Sequence, residues 1–264
     1  MSTFIAALPM YDWPETRDAT DAEWARFRAF FQRAGIEAPQ AIVRRNAEMP
    51  PVPGGIRDGQ GKVIAPNPAT LPPDEFDFET LWRHPNLLLC QTCWGPMEFG
   101  LAEHVQVVGQ PSYNGFEGGQ GQLYSSAILM RGSEAGMPAP ADGAPVIPVD
   151  LIRGKRLVYN SLDSMSGIIA PSRDLDAVGE SLDIFSELIE TGSHRASIVA
   201  VAEGRADVCA IDCRSWHMAK RHEPKAREVR VVGWTGLRKG LPMITSRHTP
   251  EEIVEQLIEI LSPP

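Results

Sequence analysis

An α/β fold with mainly parallel strands is the class this sequence predicts, on three observations. Short apolar runs of strand length recur at Phe4 to Leu8, Leu87 to Gln91, Val105 to Val108, Leu157 to Tyr159 and Val208 to Ile211. Segments of helical period lie between them, as where Trp24, Phe27, Phe31 and Ala34 share one face. Two capping-box patterns, Thr20-Asp-Ala-Glu23 and Thr249-Pro-Glu-Glu252, mark helix starts. Strands alternating with helices are the pattern of α/β domains.

Taken in order, Phe4 to Leu8 reads as a buried strand that stops at Pro9. The helix opened by Thr20 closes at Gly35. Ala41 to Arg44 reads as a second strand. Residues 46–75 are rich in Pro and Gly and read as an insertion loop, with a hairpin at Lys62 to Ala65. Phe76 to Trp82 reads as helix, then Leu87 to Gln91 and Val105 to Val108 as strands. Gly115 to Gly121 does not fit a dinucleotide fingerprint, because Tyr stands at 124, so a flexible loop is expected. A second Pro/Gly/Ala loop runs from Gly132 to Pro148. Cys213 to Arg221 reads as helix, Val229 to Gly233 and Leu241 to Thr245 as strands. A last helix carries Ile253, Leu257 and Ile260 on one face.

The chain has 264 residues, 43% of them hydrophobic, enough for one substantial core or two small lobes. Its formal net charge of −9 argues against nucleic acid and anionic membrane as partners. No apolar run reaches membrane-spanning length, so no membrane insertion is expected. The start, Met1-Ser-Thr-Phe4, lacks a basic n-region and a full apolar h-region. The chain as it stands is therefore expected in the cytoplasm, or in the periplasm if an export signal belongs before it. Cys90 and Cys93, and Cys209 and Cys213, have spacings that suit metal or redox pairs, but Cys90 and Cys209 fall in apolar strands. Free thiols, no metal and no cofactor are the expectation.

The most informative stretch is Asn160-Ser-Leu-Asp-Ser-Met-Ser-Gly167, followed by Thr191-Gly-Ser-His194 and by Gly204-Arg-Ala-Asp-Val-Cys-Ala-Ile-Asp212. The first piece is a strand end running into a hydroxyl-rich helix start. Such a start has unpaired N–H groups and a partial positive charge, which attract anions. Ser164 and Ser166 offer hydroxyls, and Gly167 lets a ligand approach the backbone. His194 opens a short helix and Asp212 ends a strand. Polar groups at the ends of adjacent elements suggest a small-ligand site at a sheet edge. Taken singly, Ser164 caps a helix, His194 and the helical His217 and His222 sit at the surface, and Asp207 secures the turn after Gly204.

Asp163-Ser-Met-Ser-Gly167, Gly192-Ser-His194, Gly204-Arg-Ala-Asp207-Val and Tyr124 with Ser126 together resemble the phosphate/phosphonate-type solute-binding proteins of ABC transporters, over most of the chain. The resemblance implies a type II periplasmic-binding-protein (Venus-flytrap) fold, two α/β lobes joined by a two-strand hinge. Residues 1–124 with 238–264 would form one lobe and 125–237 the other, the 46–75 insertion lying in the first. The implied function is capture of a small oxyanion (phosphonate, phosphate or phosphite) between the lobes, with an ABC permease as partner. Ser164, Met165, Ser166, Gly167 and His194 would hold the anion from the second lobe, and Tyr11 and Thr92 would face it from the first. Tyr124 would lie at the hinge, and Asp212 would suit an amino group or a protonated oxygen. Many relatives carry a hydroxyl where this chain has Met165, which removes one donor. The alternative is an enzyme or cytoplasmic sensor on the same fold, with Ser164, His194 and Asp212 as a triad. The serine is not in G-x-S-x-G, since Leu162 precedes it by two, so no nucleophile elbow is present.

Overall fold

The computed structural model describes residues 4–132 and 135–262. In chain order its elements are β1 (Ile5–Ala7), α1 (Arg17–Arg33), β2 (Ile56–Arg57), β3 (Val63–Ala65), α2 (Phe78–Arg83), β4 (Leu87–Gln91), α3 (Trp94–Glu98), β5 (Val105–Gly109), β6 (Gly119–Gln120), β7 (Leu123–Tyr124) and β8 (Ser126–Arg131). They continue with α4 (Val149–Ile152), β9 (Arg156–Tyr159), a π-helical turn (Met165–Ile169) leading into α5 (Ala170–Ala177), β10 (Glu187–Glu190), α6 (His194–Ala202) and β11 (Val208–Asp212). The last are α7 (Cys213–His222), β12 (Val229–Trp234), β13 (Arg238–Lys239), β14 (Met243–Ser246) and α8 (Glu251–Leu261). The chain divides into two compact units, residues 1–111 with 241–264, and residues 112–240. The borders expected at 124/125 and 237/238 both lie within the second unit.

The first unit is built on a sheet of order β1-β4-β14-β5. Its strands are apolar throughout because both faces are covered. Ile5, Ala7, Leu87, Cys90 and Ile244 pack on one face with Leu81 and Trp82 of α2. Ala6, Leu88, Leu89 and Met243 pack on the other with Trp24 and Phe31 of α1 and Val254 and Leu257 of α8. The insertion carries the hairpin β2–β3, whose strands pair Ile56 with Ala65 and Arg57 with Val63. Its remaining backbone is tied by Asn46, which donates to Pro72 O and accepts from Asp77 N at 2.8 Å.

The second unit is built on a sheet of order β10-β9-β11-β8-β12, with a small sheet β13-β7-β6 beside it. Ile128, Leu157, Val208 and Val232 of the large sheet pack with Leu175 of α5, Ile152 of α4 and Ile184. The strand β10 went unpredicted because Glu-Leu-Ile-Glu190 is a half-exposed edge with no apolar run. The short helix α4 escaped inside a Pro-rich stretch.

Mainly parallel strands were expected, and the sheets are mixed. β1 and β4 run parallel, as do β10, β9 and β11. β14 is antiparallel to both its neighbours, and so is β8. Each of these two is the first long strand after the chain passes from one unit to the other. No helical crossover feeds it, so the rule that keeps βαβ strands parallel does not act there.

Three local expectations are corrected. Ala41 to Arg44 is extended but unpaired in any sheet, and only Val43 N bonds to the neighbouring strand, at Ala6 O. Thr20 is no cap: α1 already begins at Arg17, and the Thr20 hydroxyl donates back to Thr16 O. Thr249 is no cap either, because its hydroxyl meets Thr245 Oγ1 at 2.8 Å and Pro250 takes the cap position of α8.

Candidate anion-binding site

The second unit gathers its polar residues along one edge of the five-stranded sheet. Because β9, β10 and β11 run parallel, their carboxyl ends lie side by side. Asn160 follows β9, Thr191 follows β10, and Asp212 ends β11. Each end leads into a helical start: the π-turn at Met165, α6 at His194 and α7 at Cys213. The antiparallel β8 brings its amino end to the same edge, where Ser126 pairs with Asp212. Three helix starts on one sheet edge concentrate backbone N–H groups and positive dipole ends there.

The sequence explains the local shape. Ser164 is the cap of the π-turn and accepts from Gly167 N at 3.0 Å. Pro171 cannot donate a backbone hydrogen bond, so a helix of uniform pitch would be interrupted here. The π-turn absorbs the misfit: Ile169 N and Ala170 N reach back five residues, to Ser164 O and Met165 O. The helix therefore runs on without a break from Met165 to Ala177. Met165 is buried, and its sulphur accepts from Arg173 Nη1 at 4.0 Å.

His194 is the centre of the arrangement. Its Nε2 lies 2.8 Å from Ser166 Oγ and 3.5 Å from Asp212 Oδ2. Its Nδ1 is buried without a partner. Burial holds the His194 pKa below the ordinary histidine value, against the opposing pull of Asp212, which raises it. The neutral ring carries one N–H, and the geometry assigns it to Nε2, so that the orphaned Nδ1 is an acceptor rather than the costlier buried donor. Asp212 is itself engaged, its Oδ1 accepting from Arg214 N and Ser215 N as the cap of α7.

Ser164, His194 and Asp212 do not form a relay. Ser164 Oγ is spent on the cap, and Ser166 and Asp212 both face the same ring nitrogen. A serine–histidine–aspartate relay needs the hydroxyl and the carboxylate on opposite nitrogens.

Three buried polar atoms at this edge lack partners: Asn160 Oδ1, His194 Nδ1 and Ser126 Oγ. Such atoms cost on the order of 1–3 kcal/mol each when left unpaired, so their clustering marks a place where a ligand's groups would be received. Asn160 and Ser126 were not predicted as site residues. Asn160 opened the quoted motif and Ser126 accompanied Tyr124, but an isolated Asn or Ser at a strand end carries no signal of its own.

Gly167 has a different neighbour from the one expected. A Cβ at 167 would lie 2.2 Å from Asn160 Oδ1 and 3.0 Å from Ser164 Oγ, so the space is filled by the protein's own side chains. We expect Gly167→Ala to displace Asn160 and the cap together, at about 1–3 kcal/mol of stability. Chemical denaturation would check it, and an unchanged midpoint would count against this packing.

The remaining predicted residues fall elsewhere. Tyr124 is buried in the small sheet, its ring 5.4 Å from that of Tyr113 and its backbone paired with Arg238. In the first unit, β1 and β4 are parallel and place Tyr11 and Thr92 beyond the same edge of that unit's sheet. Thr92 is fully buried, its N–H donating to Pro242 O at 3.0 Å and its hydroxyl unpartnered. His217 and His222, expected at the surface, are half-buried, and the His217 ring meets Phe116 edge-on at 5.1 Å. Asp207 grips Arg156 through both oxygens, and Arg156 also donates to Gly204 O and Arg205 O, which holds that turn as expected. All four cysteines are free thiols, and burial pushes those of Cys90, Cys209 and Cys213 far up. Among the described residues no cluster of His, Cys, Asp or Glu could hold a metal ion.

The model of a protein family described as ABC transporter, phosphonate, periplasmic substrate-binding protein matches residues 110–262, more than half of the chain. The chain belongs to that family. Members of the phosphonate-binding family are periplasmic substrate-binding components of transporters. Among the described residues no helix is long and apolar enough to cross a membrane. No curated protein sequence matches the chain. Solved structures do. PhnD1 of Prochlorococcus marinus, in complex with methylphosphonate, is similar with a TM-score of 0.60 and 14% identity, over 98% of this chain and 84% of its own. A Xanthomonas citri protein bound to ATP gives 0.58 and 12%, over 99% and 82%. A binding-protein component of an ABC phosphonate transporter from Pseudomonas aeruginosa gives 0.56 and 15%, over 97% and 72%. At such identities the likeness speaks for the fold alone, which is that of the type II periplasmic binding proteins.

Proposed function

We propose that this phosphonate-binding family member captures a small oxyanion, a phosphonate, phosphate or phosphite, at the carboxyl edge of the second unit's sheet, and delivers it to an ABC permease without chemistry. One observation carries the reading: capped helix starts converge on an edge where Asn160 Oδ1, His194 Nδ1 and Ser126 Oγ are buried and unpartnered. Ser166, His194 and the backbone N–H at the start of the turn, ahead of Gly167 whose own N–H is spent on the cap, hold the oxyanion. Ser164 and Gly167 shape the turn that presents them. Tyr124 lies in the small sheet of the second unit, beside Tyr113.

The acceptors at this edge favour a ligand that also brings a donor. Asp212 and Asn160 Oδ1 suit an ammonium group or a protonated phosphonate oxygen, and repel a fully ionised sulfate. Met165, with its side chain buried, leaves only backbone at the position where many relatives carry a hydroxyl.

The test is a thermal-shift titration with phosphate, phosphite, methylphosphonate, 2-aminoethylphosphonate and sulfate. A ligand at a hundred times its Kd stabilises by about 2.7 kcal/mol, a shift of several degrees. A shift with a phosphonate and none with sulfate is expected. No shift with any of the phosphorus oxyanions would sink the reading.

A pH dependence follows from His194. Its folded-state pKa lies below the ordinary value, so the folded protein binds fewer protons than the unfolded chain. Buried His84 acts in the same sense, since burial lowers its pKa against the hydrogen bond to Pro50 O, which raises it. Stability is full above about pH 6.5 and falls as the pH drops below it toward the folded-state values. Melting temperature measured from pH 7.5 down to pH 5.5 should fall, and His194→Gln should flatten the decline. A bound oxyanion, by favouring a protonated His194, should flatten it too. A melting temperature that rises over this window would contradict the assignment.

A further inference from the structure

The 46–75 insertion has no part in the site above, yet it walls a cavity of about 640 Å³ within the first unit. The register of the sheet places this cavity at the other end from Thr92. Gln91 pairs with Met243 at one end of β14, whereas Ser246 pairs with Val105 at the other. Arg247 and His248 follow Ser246, and His104 precedes Val105, so all three lie at that far end and line the cavity. Arg57 and Lys62 reach it from the hairpin, and Arg83 from α2.

This concentration of cations stands in a chain of net charge −9. Arg83 is neutralised by its ion pair with Glu79. Among the described residues no carboxylate lies within ion-pair distance of Arg57, Lys62 or Arg247. The Arg57 guanidinium instead donates to Gly61 O at 2.6 Å and to Gly54 O, and that of Arg247 donates to Glu103 O. Carbonyl partners fix the orientation of each fork without cancelling its charge. Two carboxylates, Asp58 and Glu103, share the lining; Asp58 holds its Oδ1 on Gln60 N and Lys62 N of its own loop, and neither is within ion-pair distance of Arg57, Lys62 or Arg247. Oriented, unneutralised guanidinium groups match the paired oxygens of phosphate and carboxylate, and the volume falls in the range of small-molecule sites.

We infer that this cavity is a second anion site, separate from the one in the second unit, for a small polyanion with at least two phosphate or carboxylate groups. It engages Arg57 and Arg247, with Lys62 as an additional unpaired charge. Isothermal titration of the full chain with pyrophosphate and with citrate at low salt tests it, the two probes separating phosphate from carboxylate chemistry. Binding of at least one is expected, weakening as salt is raised. Arg57→Gln combined with Arg247→Gln should weaken it at least tenfold. Lys62→Gln, whose ammonium holds no structural contact, should weaken it by a smaller factor with the fold intact. Ser166→Ala should leave it unchanged, so that failure of this site and failure of the oxyanion site are read separately. No binding of either probe in the millimolar range, equal binding by the double variant, or binding of a poly-glutamate peptide alone would each overturn it.

Discussion

Asp174→Ala is expected to lower the melting temperature by on the order of 10 °C, the largest single effect on stability considered. Asp174 lies on α5 and is buried. Its Oδ1 accepts from Arg238 Nη2 at 2.6 Å, and its Oδ2 accepts from Gly236 N at 2.8 Å. Arg238 in turn donates to Gly236 O at 2.9 Å and reaches Ala170 O at 3.5 Å. The aspartate thus clamps α5 to the turn between β12 and β13. Removing it leaves a largely buried guanidinium and a buried N–H without an acceptor, which costs about 3–5 kcal/mol. Asp174→Asn keeps an acceptor for Gly236 and should fall between the two. Calorimetry on the three proteins checks the order, and an alanine variant as stable as the parent would mean that the clamp is replaced by water at no cost.

Ser166→Ala carries the largest expected effect on binding. Its hydroxyl is held by His194 at 2.8 Å and stands in the first turn of the π-helix. A hydrogen bond to a charged group contributes about 1.5–3 kcal/mol, so affinity for the best phosphonate should drop by roughly tenfold to a hundredfold. Ser164→Ala separates cap from contact. It removes the acceptor of Gly167 N and should cost about 0.5–2 kcal/mol of stability, with binding lost only as far as the turn loosens. A Ser166→Ala protein with unaltered affinity would move the anion away from this turn. One that bound normally but no longer turned over an ester or phosphonate would revive the enzymatic reading.

The sequence disclosed strands and helices where burial is two-sided or strongly periodic. β4 was read residue for residue, because Leu87 to Gln91 is apolar on both faces of its sheet. The α1 stripe and the strands around Cys209 were read for the same reason. What escaped was set by tertiary pairing. β10, Glu-Leu-Ile-Glu190, is an edge strand with a short apolar centre that exists because β9 offers it partners along its length. The antiparallel runs of β8 and β14 depend on where the chain passes between units, which no local pattern encodes. At the site, Ser166, His194 and Asp212 were legible as residue types at strand ends and helix starts. Their division of labour was not. Which serine caps and which faces the histidine depends on the π-turn imposed near Pro171. Asn160 gains its meaning only from the 2.2 Å that would separate it from a Cβ at Gly167.

The position of β14 governs the order in which the two units can be completed during synthesis. Residues 112–240 emerge as one uninterrupted stretch and carry every strand of their own sheets. The first unit's sheet is split in time, because β14 belongs between β4 and β5 but is made after the whole second unit. Until it arrives, β4 and β5 cannot pair with each other at their final spacing, and each offers an open edge. A chain lacking the residues from Met243 onward would carry every strand of the second unit but only a first-unit sheet with a gap at its centre. Closing that gap is a long-range event, slower than local helix formation and open to aggregation while it waits. It is in this interval, before the last strand is inserted, that the protein most needs protection by chaperones.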